Sequence, residues 1–479
     1  MNRKHLAAAL LAALMILTTL LSACGGGSAG AGKPAADTTT AAEETTAETT
    51  SALEQLGAMD FDGRKYTIYD NNTVKIQTNV PGDSLNGEIV NDALFNRGTY
   101  MRDRYNVEMI YFDAPDVNAY RNSVLADEDN YQLGFSPLFS MTTNATGGIL
   151  YDLCSLPYME LDKNWWSPLF YEQFRLNGRM YIATGDITPG TYQTPCCLFL
   201  NLKLYDDYGI ETDIYQLVLD GGWTIDELTA VVKDYNYIDL NQDTKQGIED
   251  FYGIVMQHTT ETTEAFLTAA GNSLASVSKD GTGLEFNMLD NDKVLTAIEK
   301  LQPVCPYINY AEINDPINLC FKVDRGLFLQ HKLESAATHL RDMESPYLIL
   351  PDPKYDEAQE QYISCVSGWC YSFPTIPSTA DPEFAGFMAE ALARYSHENI
   401  RPLAYEVVYK DRDTRDPRSA DILDLLFNSL YIDFGVVYNF GSIKDALTQV
   451  LFEAKPFAST VESKVDAINA AMAKVIENW

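Results

Sequence analysis

Recognisable catalytic signatures are missing from this 479-residue chain. It has no GxSxG nucleophile elbow, no HExxH zinc helix and no GxxxxGK[ST] phosphate loop. Histidine is scarce, at five residues. His258, His331, His339 and His397 are scattered and read as surface or capping residues. Positive charge is also short: 34 Lys and Arg stand against 68 Asp and Glu, for a net charge of −34. That balance argues against nucleic acid as a partner, because phosphate binding needs clustered cations. It gives anionic ligands no long-range steering, and leaves neutral ligands and divalent cations compatible. Solubility alone accounts for most of the charge. No CxxC pair occurs, which removes the usual zinc and thioredoxin-like centres. Beyond Cys24 there are seven cysteines: Cys154, Cys196, Cys197, Cys305, Cys320, Cys365 and Cys370. The odd number leaves at least one unpaired within the chain. Cys365 and Cys370 are close enough to bridge across a turn, and burial as small hydrophobes is the equal alternative. Acidic pairs are too plentiful for any one of them to argue for a glycosidase dyad.

What is present begins at the N-terminus. Arg3 and Lys4 precede an almost wholly apolar run from Leu6 to Leu21, followed by Leu21-Ser22-Ala23-Cys24. The charged start and short core read as an export signal, too short for a comfortable membrane span. The tetrapeptide resembles the bacterial lipobox, which implies cleavage before Cys24 and a lipid on its sulfur. Residues 1–23 are therefore expected as signal peptide, and the chain as tethered to the outer face of the cell membrane. Residues 24–61 are expected as a lipid-anchored flexible linker. They are rich in Gly, Ala, Thr and Glu, with almost no large apolar side chain before Leu53 to offset ordering entropy. The remainder is ample for a sizeable core.

Past the linker, the spacing predicts a strand over 65–69, a helix over 89–104 and a strand over 107–112, an α/β order. Thr224-Ile225-Asp226-Glu227 is a capping box that opens a helix carrying Ile225, Leu228 and Val232. Trp223 beside it is expected in the core. Val461, Val465, Ile468, Met472, Val475 and Ile476 predict an amphipathic C-terminal helix. There is no evident internal repeat.

The strongest local motif is Asp239-Leu240-Asn241-Gln242-Asp243-Thr244-Lys245, running on to Asp250. Asp239, Asn241, Asp243 and Asp250 fall at positions 1, 3, 5 and 12 of an EF-hand-like loop, and Lys245 would add its carbonyl from position 7. Two departures stand out: Thr244 replaces the turn glycine, and Asp250 is a methylene shorter than glutamate. A structural calcium ion is the expectation, and a solvated acidic turn the alternative. No other cofactor is expected.

Several segments in order carry a family resemblance: Gly148–Leu156, Trp165-Trp166, Leu176–Tyr181, Gly185-Asp186, Asn201–Tyr205, Gly222–Leu228, Leu350–Lys354 and Arg412–Asp416. Together, behind a lipobox, they resemble the extracellular solute-binding lipoproteins of ABC importers, in the branch typified by carbohydrate binders. The resemblance implies an α/β, two-lobed (Venus-flytrap) periplasmic-binding-protein-like fold with hinge crossings. Carried over, lobe 1 spans 62–156 plus 371–409, and lobe 2 spans 157–370 plus 410–479, with a crossing strand at Ile363–Trp369. It also implies a monomeric non-enzyme that captures a solute, most naturally an oligosaccharide, and delivers it to ABC permease subunits. The competing reading is a surface-anchored glycoside hydrolase or lyase.

Aromatic residues make up 11% of the chain, with 29 tyrosines. Sugar rings pack their C–H faces on aromatic rings, and their hydroxyls need planar polar partners. Asp70, Asn71 and Asn72 end the first strand, a favoured ligand position in open α/β sheets. Ser136 and Phe139 follow another predicted strand. Asp186 and Tyr192 follow a strand predicted at Met180–Ala183. Trp369 and Tyr371 lie at the proposed crossing. Of Trp165 and Trp166, one is expected in the core and the other, taken as Trp166, in the cleft.

Overall fold

The computed structural model describes residues 51–71, 79–114, 116, 118–289, 291–305, 319–366, 371–403 and 419–479. The expected signal peptide, Cys24, most of the expected linker, Asn72, Trp369 and Cys370 lie outside the described residues.

Thirteen strands are described: β1 (Arg64–Asp70), β2 (Val107–Asp113), β3 (Leu133–Pro137), β4 (Cys196–Asn201), β5 (Tyr237–Ile238), β6 (Phe251–Val255), β7 (Ala275–Val277), β8 (Leu284–Phe286), β9 (Gly326–Lys332), β10 (Tyr347–Leu350), β11 (Ser364–Cys365), β12 (Ser372–Thr375) and β13 (Leu430–Tyr431). The helices that position the site are α1 (Ile89–Tyr105), α2 (Ile225–Val232), α3 (Thr260–Ala269), α4 (Pro382–Asn399), α5 (Ser419–Asn428) and α6 (Val465–Asn478).

Two sheets organise the molecule. The first has the order β12-β3-β1-β2, with β1 parallel to β2 and β3, and β12 antiparallel to β3. The second has the order β10-β4-β9-β6-β5 and is mixed, with β6 parallel to β9. Strands β4, β6 and β10 are buried along their whole length. That is why they read as continuous apolar runs with no alternation. The chain leaves the first sheet after β3, builds the second, and returns with β12 and α4. Then α5 packs against β10 and β13 pairs with β11. Crossing segments thus join the two sheets.

Local signals act as the sequence suggests. α1 stops where Asn106 turns left-handed (φ 50°) and its N–H bonds to the Arg102 carbonyl. Thr224 Oγ accepts from the Glu227 N–H at 3.3 Å and opens α2. Trp223 is wholly buried, with its indole N–H on the Pro351 carbonyl at 3.1 Å. Ile468, Met472 and Val475 of α6 are buried, and Val461 is buried on a separate short helix, Phe457–Glu462.

Two expectations are corrected. Met180–Ala183 is not a strand but a buried connector, whose Ala183 N–H bonds to the Pro374 carbonyl. Its other partners are the Leu153 N–H, which donates to the Met180 carbonyl, and the Asp152 carboxylate, which accepts from the Met180 N–H, so no ladder forms. The linker does not extend to residue 61: Ala52–Gln55 is helical. Leu53 is buried there with its N–H on Glu398, and the Ala52 carbonyl accepts from Arg394. One apolar anchor and a basic partner suffice to order the tract. Of the crossing strand expected at Ile363–Trp369, the described residues carry β11 and the Pro195–Val366 bridge, and residues 367–369 lie outside the described residues.

Candidate functional site

The crossing segments enclose a cavity of ≈ 300 Å³. Trp166, Asp186, Thr191, His397, Arg401 and Phe427 are among the residues that line it. Residues Trp165–Ser167 lie antiparallel to Thr184–Asp186, through a Trp166–Gly185 bridge and the Asp186 N–H on the Trp165 carbonyl at 2.9 Å. Gly185 makes this approach feasible. Its φ is +154°, and a Cβ there would sit 2.5 Å from the Trp165 carbonyl oxygen.

Asp186 is 3% exposed. Its Oδ2 meets His397 Nδ1 at 2.5 Å and Arg401 Nη1 at 3.7 Å. His397 comes from the last turn of α4 and Arg401 from just beyond it. The cavity therefore presents a carboxylate, an imidazole and a guanidinium beside the rings of Trp166 and Phe427. That is a mixed donor–acceptor set suited to a polyhydroxylated ligand.

Behind it lies a buried anchor. Glu390 of α4 is fully buried, and its two oxygens accept from Trp165 Nε1 (2.6 Å), Trp166 Nε1 (2.7 Å) and Arg394 Nε (2.8 Å). The Arg394 guanidinium lies over the Trp165 ring at 4.5 Å and also bonds Glu160. Tyr371 braces the other wall. Its hydroxyl meets Thr184 Oγ1 in a short contact and Thr191 Oγ1 at 3.0 Å, and accepts from the Gly185 N–H at 3.4 Å. Burial pushes the Tyr371 phenol up to about 12. Tyr192 is buried with its ring edge-on to Phe427, and burial followed by the neighbouring Asp186 charge raises its pKa well above normal.

Of the residues expected at a site, the structure brings Trp166 and Asp186 to the cavity wall and places Tyr192 and Tyr371 directly behind it. Trp165 is half-buried and edge-on to His397. Asp70 and Asn71 form a separate buried cluster at the end of β1. Asp70 Oδ2 accepts from the Asn79 N–H at 2.9 Å, and Asn71 Nδ2 donates to the Ala114 carbonyl at 2.8 Å. Asp70 Oδ1, Asn71 Oδ1 and Asn79 Oδ1 are buried without a partner. Burial lifts the Asp70 pKa to about 6. Ser136 does not follow a strand: it lies within β3, buried, in register with Phe373. Phe139 falls in the helix Leu138–Ala145, and its side chain lies outside the described residues. His397, Arg401 and Glu390 were not singled out as site residues. The available signal was the Glu390–Arg394 pair at i,i+4 in an otherwise apolar helix stretch.

The second sheet carries a further polar cluster near the ends of β9 and β10. Lys332 Nζ pairs with Glu261 Oε2 at 3.4 Å, both largely buried. Asp352, buried beside Gln330, is raised to about 7 by burial. Glu264 is raised to about 8 by the same cause.

In the 239–250 loop the acidic side chains bond the loop's own donors. Asp250 accepts from Tyr237 Oη, the Leu240 N–H and the Gly247 N–H. Asp239, Asn241 and Asp243 each accept a backbone N–H within the loop. Thr244 sits at φ +64°, the conformation a glycine would relieve. Only Asp239 Oδ1 is left buried without a hydrogen bond. Among the described residues no group of three or more His, Cys, Asp or Glu is arranged to hold a metal ion.

No protein-family model and no curated protein matches the chain. Solved structures do. A cyclic α-maltosyl-1,6-maltose binding protein from Arthrobacter globiformis aligns at 15% identity and TM-score 0.57, over 87% of this chain and 100% of its own. An ABC substrate-binding protein from Listeria monocytogenes, solved with cycloalternan, aligns at 15% identity and TM-score 0.54, over 86% and 100%. A cyclo/maltodextrin-binding protein complexed with maltotetraose aligns at 12% identity and TM-score 0.56, over 85% and 97%. The chain has the two-lobed fold of carbohydrate-type ABC substrate-binding proteins. The cavity around Asp186 is lined in part by residues of Asn164–Leu169 and Gly185–Thr191, from the stretch of chain that runs between β3 of the first sheet and β4 of the second.

Proposed function

We propose that this protein is the lipid-anchored, extracellular substrate-binding component of an ABC importer. It captures an oligosaccharide between its lobes and hands it, unaltered, to membrane permease subunits. The observation that carries this reading is the Asp186–His397–Arg401 cavity, walled by Trp166 and Phe427 and seated on the crossing segments. A ligand there touches the parts that must rearrange when lobes swing, so its binding free energy couples directly to closure. The unpartnered acceptors of Asp70, Asn71 and Asn79 at the end of β1 suit sugar hydroxyl donors on the lobe 1 side. Lobe 1 is taken as 62–156 plus 371–409 and lobe 2 as 157–370 plus 410–479, working as a monomer. Cleavage chemistry plays no part in this reading.

Isothermal titration of the protein against a panel of neutral oligosaccharides tests it. Micromolar affinity, about −8 kcal/mol, is expected for at least one. Silence across the panel, or a cleaved product in the cell, would end the proposal. The calcium reading of the 239–250 loop rests on its spacing. A melting midpoint that does not move between millimolar calcium and a chelator retires it.

A further inference from the structure

Six cysteines are free thiols in the described structure, and five of them are buried. Two stand apart from the rest. Pro195 and Val366 form an antiparallel bridge. Stepping one residue forward on one strand and one back on the other sets Cys196 directly opposite Cys365. Opposed residues of an antiparallel pair have Cα atoms about 4.5–5.5 Å apart, inside the about 4.4–6.8 Å that a disulfide spans. With Ala265 the two cysteines form their own small buried cluster. Cys197, the next residue along, packs in the main core instead.

We propose that Cys196 and Cys365 are a disulfide-forming pair in the exported protein. The bond would tie the start of β4 to the end of β11. One crossing segment ends at Pro195, and the chain sets out for β12 just after Val366. The staple would therefore fix the spacing of β4 and β11, the latter paired with β13, whose Leu430 lines the cavity. Both residues are 1% exposed, so the exchange belongs to folding after export, before the site closes. The thiolate of one cysteine attacks a disulfide-bearing oxidant of the extracytoplasmic space, forming a mixed disulfide and releasing one thiol. The second thiolate attacks the protein sulfur of that intermediate and releases the oxidant as a dithiol. Two electrons and two protons pass from the cysteine pair to the oxidant. Cys365 Sγ presently donates to Glu264 Oε1 at 3.2 Å. A protonated Glu264 needs no such donor, so its buried carboxyl tolerates the loss.

The test refolds the full chain in a glutathione redox buffer, alkylates it under denaturing conditions without reductant, and maps the peptides by mass spectrometry. The same mapping follows on full chain recovered from the exterior of an expressing bacterium. The expected result is a linked Cys196–Cys365 peptide lighter by two hydrogens than its reduced parts. In the C196S and C365S variants the remaining partner should be fully alkylated. The melting midpoint should fall on reduction of the native chain and stay constant in the C196S/C365S double variant. Full alkylation of both residues after oxidative refolding, or a link from either one to another cysteine, overturns the proposal. The refolding arm reads the pair regardless of whether the export reading holds.

Discussion

Glu390 is the residue with the heaviest duty. It takes three charge-assisted or indole hydrogen bonds in a site that excludes water, and so sets the positions of Trp165, Trp166 and Arg394. Removing its charge leaves the 4%-exposed Arg394 with only Glu160 as a counter-ion. Glu390→Gln should cost about 3–5 kcal/mol, read as a lowered urea midpoint with an unchanged slope. Asp186→Ala should act mainly on binding. It unties His397 and Arg401 together, and affinity should fall by roughly ten- to a hundredfold, about 1.4–2.8 kcal/mol, in titration calorimetry. The buried acids also make stability depend on pH. Asp70, Asp352 and Glu264 have folded pKa values of about 6, 7 and 8, all above their ordinary values. The folded state therefore holds these protons more tightly than the unfolded chain. Stability falls as pH rises from about 4 through 8, by roughly 3–5 kcal/mol per group. A denaturation midpoint higher at pH 5 than at pH 8, with the difference shrinking in Asp352→Asn, is the expected pattern.

At the scale of elements, the crossing segment Thr184–Thr191 decides whether a cavity exists at all. It has no ladder of its own and is held by Tyr371, Thr191 and the Trp166 bridge. Gly185→Ala forces a Cβ into the Trp165 carbonyl at an already unfavourable φ. We expect about 1–3 kcal/mol of lost stability and a larger proportional loss of ligand affinity than Thr224→Ala at the α2 cap. The cap variant should cost about 1 kcal/mol and leave affinity alone. Thermal unfolding together with titration separates the two. Elements whose cues are local were legible from sequence: α1 with its apolar face, α2 with its capping box, and β1 and β2 with their bounded runs. Elements without local cues were not. Met180–Ala183 has strand-like composition, yet its partners come from Leu153 and Pro374, far away along the chain. Nothing near it in sequence reports that no continuous strand lies alongside.

At the scale of the molecule, two lobes on a shared set of crossings predict compaction on binding. Small-angle scattering should show a smaller radius of gyration with a saturating oligosaccharide. The melting curve should shift by the equivalent of about 2.7 kcal/mol at a hundredfold excess over Kd. Absence of both changes with a ligand that calorimetry shows to bind would mean that closure is not the working motion.

Some of this architecture is written in residue order: an apolar run after a charged start, caps and turns that begin and end helices, acidic excess, and uninterrupted apolar strands that demand cover on both faces. Those are short-range or compositional properties, and they survive without knowing what folds against what. The site is of another kind. Asp186 and His397 are 211 residues apart, and Glu390 lies 225 from Trp165. Their meeting is a product of the return of the chain through β12 and α4. A carboxylate in a chain with 68 acidic side chains carries no mark of its future partner. Burial and long-range pairing single it out, because only a water-excluded setting makes one charge worth more than the others.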